Sequence, residues 1–157
     1  MKIIGIDPGL AATGIGIVTG SGFRIDDFSY GSIQTKKGIV LANRLDCIFS
    51  KLLELLDSET PELMVIEDIF SLSRYPKSGI TLGQVSGIIQ LAAARTNIPT
   101  VEIPVRETKK ILTGNGSANK HQLEKAVRHV LNLSAPIRPY HASDALALAL
   151  IGLYRFG

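Results

Sequence analysis

The stretch Lys2–Val18, KIIGIDPGLAATGIGIV, joins two apolar runs through an acid, a proline and a glycine. Runs rich in Ile and Val predict two buried strands, and Pro8-Gly9 is typical of a turn between them. The turn does not account for Asp7, the last residue before it, because an ionised carboxylate is costly to bury without partners. Asp7 is therefore either a turn residue or one member of a site whose other members lie elsewhere in the chain.

Outward from this stretch, the sequence alternates between strand and helix patterns. Strands are predicted at Lys2–Asp7, Thr13–Val18, Phe23–Ile33, Leu63–Ile66 and Pro99–Ile103. Helices are predicted at Val40–Leu56, about Ser78–Thr96, Arg106–Leu112, Ser117–Leu131 and about His141–Tyr154. We summarise the order as βββαβαβαα. It predicts an α/β fold with one mixed sheet, three antiparallel strands followed by two parallel strands, flanked by helices in a single domain over residues 1–157.

Composition and charge limit the class of protein. The 157 residues, 45% of them hydrophobic, suit one globular domain. With no membrane-spanning apolar run and no signal-peptide pattern, we expect a cytoplasmic protein. Cys47 is the only cysteine, which excludes an internal disulfide and a cysteine-based metal cluster. Residues 104–140 hold seven basic residues and two acids, a net +5 that leaves −2 for the rest. Such a segment fits a polyanion partner, and plain solvated surface is an equally common explanation.

Acids fall where two of the predicted strands end. Because strand–helix–strand crossovers make strands parallel, their ends meet at one edge of the sheet. Asp7 ends the first strand and Glu67 ends the fourth, so adjacent strands would place the two carboxylates side by side. His141 and Asp144 are three residues apart and share one face at the start of the last helix.

These four side chains are candidate metal ligands. Carboxylates brought together repel each other, and a divalent cation relieves the repulsion. Oxygen ligands with open positions suit Mg²⁺ or Mn²⁺, commonly as a pair of ions for phosphodiester hydrolysis. Each residue also has a plainer explanation: a turn for Asp7, a solvated strand end for Glu67, a helix N-terminus complemented by Asp144, and a position beside the cap for His141. Spacing alone does not decide between them.

Five ordered motifs, however, resemble the RuvC family of bacterial Holliday junction resolvases. They are IDPGLAATGIGIV, VIEDIF, LGQVSG, GSANKHQ and HASDALALAL, and the resemblance extends from Lys2 to about Tyr154. It implies a ribonuclease H-like fold and a metal-dependent endonuclease that cuts four-way junctions symmetrically in recombination and repair. The family's catalytic acids match Asp7, Glu67 and Asp144, and its fourth catalytic position matches His141, where some members carry Asp.

The resemblance also implies cofactors, DNA contacts and partners. It implies Mg²⁺, with Mn²⁺ able to substitute, as two ions per site. Phe70 matches an aromatic position that stacks on bases near the junction centre, although a core phenylalanine is the commoner explanation of such a residue. Lys109 and Lys120 match basic positions near the scissile phosphate. Gly83, Ser86 and Gly87 lie on a helix that forms the family's homodimer interface, and close packing on the sheet is the plainer explanation of these small residues. The branch-migration proteins RuvA and RuvB are further implied partners.

Two other functions remain as alternatives. A nucleotide-binding fragment of the actin and Hsp70 type also opens with a strand that ends in Asp and Gly, but it needs two lobes and this chain has room for one. A junction-binding module without catalysis would not need the complete set of four ligand candidates.

Overall fold

The computed structural model describes residues 1–69 and 76–157. Within these ranges the strands are β1 (Lys2–Asp7), β2 (Ala12–Ser21), β3 (Arg24–Gln34), β4 (Leu63–Asp68) and β5 (Thr100–Pro104). The helices are α1 (Leu41–Glu59), α2 (Pro76–Arg95), α3 (Val105–Thr113), α4 (Lys120–Val130) and α5 (Tyr140–Phe156).

One sheet contains all five strands, in the order β3-β2-β1-β4-β5. The pairs β1–β2 and β2–β3 are antiparallel, whereas β1–β4 and β4–β5 are parallel. This arrangement confirms the predicted mixed sheet. We call the end at which β1, β4 and β5 finish the carboxyl end, and the opposite end the amino end.

Helices cover both faces of the sheet. Alternate residues of β1 point to opposite faces, so Ile3 packs in one core with α4 and α5, and Ile4 packs in the other with α1 and α2. Because β1 and β4 are covered on both sides, their sequences are nearly continuous apolar runs. Such a run makes a polar residue at its end conspicuous.

The predicted elements all exist, with shifted boundaries. Helix α4 begins at Lys120 rather than Ser117, because Asn119 caps it: Asn119 Oδ1 accepts a hydrogen bond from the Gln122 N–H, and Gln122 Oε1 accepts one from the Asn119 N–H, both at 2.9 Å. Gly114, with φ of 75°, ends α3 in the left-handed conformation and separates it from α4. Three helices therefore follow β5, as the predicted ranges have it, and the summary order βββαβαβαα is one helix short.

Among the helices in the two described ranges, none combines the length and the apolar composition that a membrane span requires.

Candidate active site

Asp7 and Glu67 lie next to each other at the carboxyl end of the sheet. Strand β1 pairs with β4 in parallel register, with Ile6 opposite Ile66, so the residues that follow this pair are neighbours. Asp7 is the last residue of β1 and is only 6% exposed. Glu67 is the penultimate residue of β4, which continues to Asp68, two residues past the predicted end at Ile66. The two strand-end acids thus come together as the sequence predicts.

Glycines on β1 and β2 let α5 lie directly on the sheet. A Cβ built on Gly14 would stand 1.9 Å from the carbonyl oxygen of His141, and one built on Gly5 would stand 2.0 Å from that of Ala145. Distances this short exclude any side chain at either glycine. The first turns of α5 therefore approach the strand that carries Asp7 more closely than any larger residue would allow.

His141 and Asp144 complete the group of side chains around Asp7. Nδ1 of His141 is 2.6 Å from Oδ2 of Asp7, a hydrogen bond in which the imidazole N–H donates to the carboxylate. Oδ1 of Asp144 is buried and has no hydrogen-bond partner in the described part of the chain. We call Asp7, Glu67, His141 and Asp144 the carboxyl-end cluster.

Burial and mutual repulsion raise the pKa values of two carboxyls in this cluster. The pKa of Glu67 rises from 4.5 to about 9, first because the group is buried and then because of its hydrogen bond with Asp7 and the charges of Asp7 and Asp144. The pKa of Asp144 rises from 3.8 to about 6, again mainly through burial and then through the charge of Asp7. With all its carboxyls ionised, the site holds more negative charge than its own residues neutralise.

The pKa of the His141 imidazole is also raised. Its hydrogen bond with Asp7 raises the pKa above 6.5, against the opposing effect of partial burial. Since Nδ1 donates its proton to Asp7, the second ring nitrogen, Nε2, is the one that can act as a ligand when the ring is neutral.

Lys109 and Lys120 lie close enough to influence the cluster electrostatically. The charge of Lys109 lowers the pKa values of Glu67 and Asp144, and the charge of Lys120 lowers those of His141 and Asp144. Lys109 projects from α3, and Lys120 is the first residue of α4, just after its cap. Both candidate DNA contacts are therefore at the carboxyl end. The third, Phe70, lies outside the described residues.

The ligand candidates bond to each other rather than surround a common point. Among residues 1–69 and 76–157, no group of three or more Asp, Glu, His or Cys side chains stands in an arrangement that could hold a metal ion. Asp7 is engaged by His141 and by Glu67. The donor set is nevertheless of the kind that suits a hard divalent cation, namely carboxylates with one imidazole and a buried carboxylate oxygen that lacks a partner.

Glu124, which reasoning from the sequence did not identify, supports the same region. Its side chain is 0% exposed, and its Oε1 accepts a 2.9 Å hydrogen bond from the Ile137 N–H and forms an ion pair with Arg128, whose Nε lies 3.3 Å away. Ile137 lies three residues before the start of α5. Glu124 thus ties α4, which carries Lys120, to the segment that leads into His141. An acid inside an otherwise apolar helix face is the only signal of it in the sequence.

The small residues of α2 are placed differently from the prediction. Gly83 and Gly87 are exposed, but Ser86 is only 5% exposed and faces the core with Val85. Ser86 is therefore not on the face that the two glycines form. A Cβ on Gly79, Gly83 or Gly87 would meet no atom within 4 Å.

Known proteins of one kind match almost the whole chain. Residues 3–152 match the family model described as crossover junction endodeoxyribonuclease RuvC. A protein of that name from Carboxydothermus hydrogenoformans is 39% identical over 157 residues, which are 100% of this chain and 98% of that protein. Its counterpart from Thermotoga petrophila is 38% identical over 149 residues, 95% of this chain and 90% of that protein.

A solved structure, described as T. thermophilus RuvC in complex with Holliday junction substrate, is similar to this fold with a TM-score of 0.89. The sequence identity is 29%, and the similarity covers 98% of this chain and 93% of that chain. The residues that match the family model include all four members of the carboxyl-end cluster.

Proposed function

The chain belongs to the RuvC family of crossover junction endodeoxyribonucleases and resolves four-way (Holliday) DNA junctions in recombination and repair, and we propose that its carboxyl-end cluster is the hydrolytic site. One observation carries the proposal: acids from β1, β4 and α5 are buried together, and the pKa values of Glu67 and Asp144 rise as a result. Charges held at this cost to folding are expected where a cationic ligand or a reacting group uses them.

Asp7, Glu67, His141 and Asp144 would hold divalent cations. Mg²⁺ is the ion that carboxylates and water suit best, Mn²⁺ would substitute, and two ions per site would match the number of donors. Bound cations supply an activated water and stabilise negative charge on the phosphate. To become ligands, Glu67 must release its proton, and the hydrogen bonds that Asp7 forms within the cluster must be exchanged.

The lysines at the carboxyl end have a separate role in this proposal. Lys109 and Lys120 would contact the phosphates beside the scissile bond, which their electrostatic effect on the cluster supports. Phe70 would stack on bases near the junction centre, in line with the family resemblance. Binding through phosphates is independent of the acids, so binding and cleavage should be separable.

We also propose that two copies act together. A four-way junction has approximate two-fold symmetry, so paired cuts need two sites related in the same way, whereas residues 1–157, taken as one domain, supply one. The exposed face of α2 is suited to this contact, because Gly79, Gly83 and Gly87 leave its backbone accessible. Ile80 and Leu91, 66% and 48% exposed, add apolar surface on the same helix.

The family resemblance supports two further proposals. The branch-migration proteins RuvA and RuvB would act with this chain on the same junction. The cytoplasm would be the location of all three proteins.

A junction cleavage assay tests the proposed function. Purified protein should make paired, symmetric nicks in a synthetic four-way junction with Mg²⁺ or Mn²⁺ and none with EDTA, and sedimentation should give two chains per junction. Binding without cutting in any metal would contradict the hydrolytic role. Paired cuts by a complex of one chain per junction would contradict the dimer.

A further inference from the structure

The segment from Thr35 to Arg44, which comprises the β3–α1 loop and the first turn of α1, lies at the carboxyl end of the sheet. Strand β3 ends opposite the start of β2, and the Thr35 N–H then donates a 3.1 Å hydrogen bond to the carbonyl of Ala11. Ala11 belongs to the loop that follows Asp7. Because α1 packs on the sheet face opposite α4 and α5, this segment flanks the cluster from the side away from Lys120.

Arg44 is held in this segment by neutral groups. Its Nε donates to Thr35 Oγ1 at 2.8 Å, and that hydroxyl donates to the carbonyl of Leu10 at 2.5 Å. The two terminal NH₂ groups of the guanidinium have no hydrogen-bond or ion-pair partner in the described ranges. Three other arginines, by contrast, each pair with an acid: Arg24 with Asp26, Arg128 with Glu124 and Arg155 with Glu107. Arg44 is thus positioned by one nitrogen while its charge and its fork of donors remain available to an anion.

The charges around α1 run against the helix dipole. From residue 28 to residue 45 the chain carries Lys36, Lys37 and Arg44 and no acid, and both lysines are exposed. The first turn of α1 contains no acid, its last turn contains no basic residue, and its final turns carry acids: Glu54, Asp57 and Glu59. A helix alone is stabilised by the reverse arrangement. Local preferences broken in this way are expected where the residues serve an external partner.

We propose that Lys36, Lys37 and Arg44 form a phosphate-binding flank for the backbone of a junction strand. The inference rests on the proposed function and extends it: the DNA strand contacts basic groups on both sides of the cluster, with this flank opposite Lys109 and Lys120. Arg44 binds phosphate oxygens through its two NH₂ groups, and the lysines act as mobile point charges.

An open groove of about 420 Å³ lies beside the flank and extends it toward α2. The groove is lined by Leu10 of the loop after β1 and by residues near the start of α2, among them Lys77 and Ser78. Lys77 is exposed and basic, so a phosphate backbone that leaves the flank in this direction meets a further cation.

Junction binding at several salt concentrations tests the flank. We compare wild type, Lys36→Gln/Lys37→Gln, and the triple variant that adds Arg44→Gln. The matched control is Arg95→Gln, an exposed arginine at the other end of α2. Each lost phosphate contact should reduce the slope of log K against log salt by roughly 0.9, so the double and triple variants should lose roughly two and three such steps. The control should keep the wild-type slope.

The double variant separates DNA binding from folding, because both lysines are exposed and hold no part of the structure. A wild-type protein that cuts the junction, together with double and triple variants that keep its affinity and salt slope, would overturn the flank and leave the proposed function standing. A wild-type protein that neither binds nor cuts the junction would overturn both.

Discussion

Carboxylates at the two ends of the same sheet differ in their exposure and in the partners that surround them. At the amino end, Glu59 is partly exposed and lies 3.1 Å from the Lys2 ammonium, and Glu62 accepts a 2.9 Å hydrogen bond from the Lys2 N–H. At the carboxyl end, Asp7 is buried against Glu67 and Asp144, and the ring that hydrogen-bonds to it is the imidazole of His141.

The difference separates two uses of an acid. The amino-end acids join the start of β1 to its surroundings, a modest contribution typical of surface pairs. The carboxyl-end acids are desolvated and repel each other, which reduces stability until a cation neutralises them. If this loss of stability serves catalysis, changes at the carboxyl end should impair cleavage and matched changes at the amino end should not.

Removing one charge at each end should give the largest contrast. Glu67→Gln keeps the shape of the side chain but removes a ligand, so we expect junction cleavage to fall roughly 100- to 1,000-fold, the range for deleting one electrostatic partner of a transition state. Junction binding, which depends on phosphate contacts, should persist. Glu62→Gln is the control and should cut like wild type. Equal rates for both variants would remove the distinction between the two ends.

Substitutions of His141 test whether the site at the carboxyl end includes the imidazole as well as the three acids. His141→Ala should reduce cleavage about 10- to 100-fold, as for lost metal-site partners. His141→Asp should retain cleavage and shift the preference from Mn²⁺ toward Mg²⁺. Because the neutral ring is needed and Asp7 raises its pKa, wild-type cleavage should fall with decreasing pH already above 6.5.

Rates across pH with each metal measure this effect, and His121→Ala, an exposed change on α4, is the control. If His141→Ala matches wild type in both metals and at every pH, the histidine is not part of the site.

The close approach of α5 should be sensitive to one methyl group. Gly14→Ala forces the backbone of His141 away from β2, and we expect a loss of about 1–3 kcal/mol in the free energy of unfolding, typical of overpacking, with slower cleavage. Gly31→Ala, where a Cβ meets nothing within 4 Å, is the matched control. Urea unfolding of both variants measures the difference. A Gly14→Ala protein as stable and active as Gly31→Ala would show that α5 does not depend on this contact.

The sequence pattern predicted which residues form the carboxyl-end cluster better than it predicted the residues that hold the cluster in place. Strand ends and the three-residue spacing of His141 and Asp144 depend on local periodicity, and parallel crossovers bring the ends together. Gly14 reads as one more small residue in a strand, because the helix that excludes its side chain is more than a hundred residues away. Glu124 meets Ile137 only through the path of a loop.

In helix α2, too, local sequence spacing did not determine the tertiary contacts. Gly83, Ser86 and Gly87 are close enough in sequence to share a face, but the direction of that face is fixed by which residues the sheet covers. Packing against the sheet placed Ser86 inside and left Gly79 in line with the other glycines.

The pH dependence of stability gives a further contrast. In protein treated with EDTA, the folded-state pKa of Glu67 is raised from 4.5 to about 9, so its contribution to stability is present below pH 4.5 and is lost as the pH rises toward 9. Relative to Glu67→Gln, wild type should therefore become less stable across this window. Mg²⁺ should remove most of the difference. Urea midpoints from pH 5 to 9 measure it, and a pH-independent difference would contradict the raised pKa.

Calorimetric titration of Mn²⁺ at pH 7.5, in two buffers of different protonation enthalpy, tests most directly whether the carboxyl end is built for a cation. Wild type and Glu59→Gln should bind Mn²⁺ with release of protons, because Glu67 and His141 must give them up to become ligands. Asp7→Asn should bind far more weakly. Equal Mn²⁺ affinity for wild type and Asp7→Asn, or binding by wild type without proton release, would contradict a cation site at the carboxyl end.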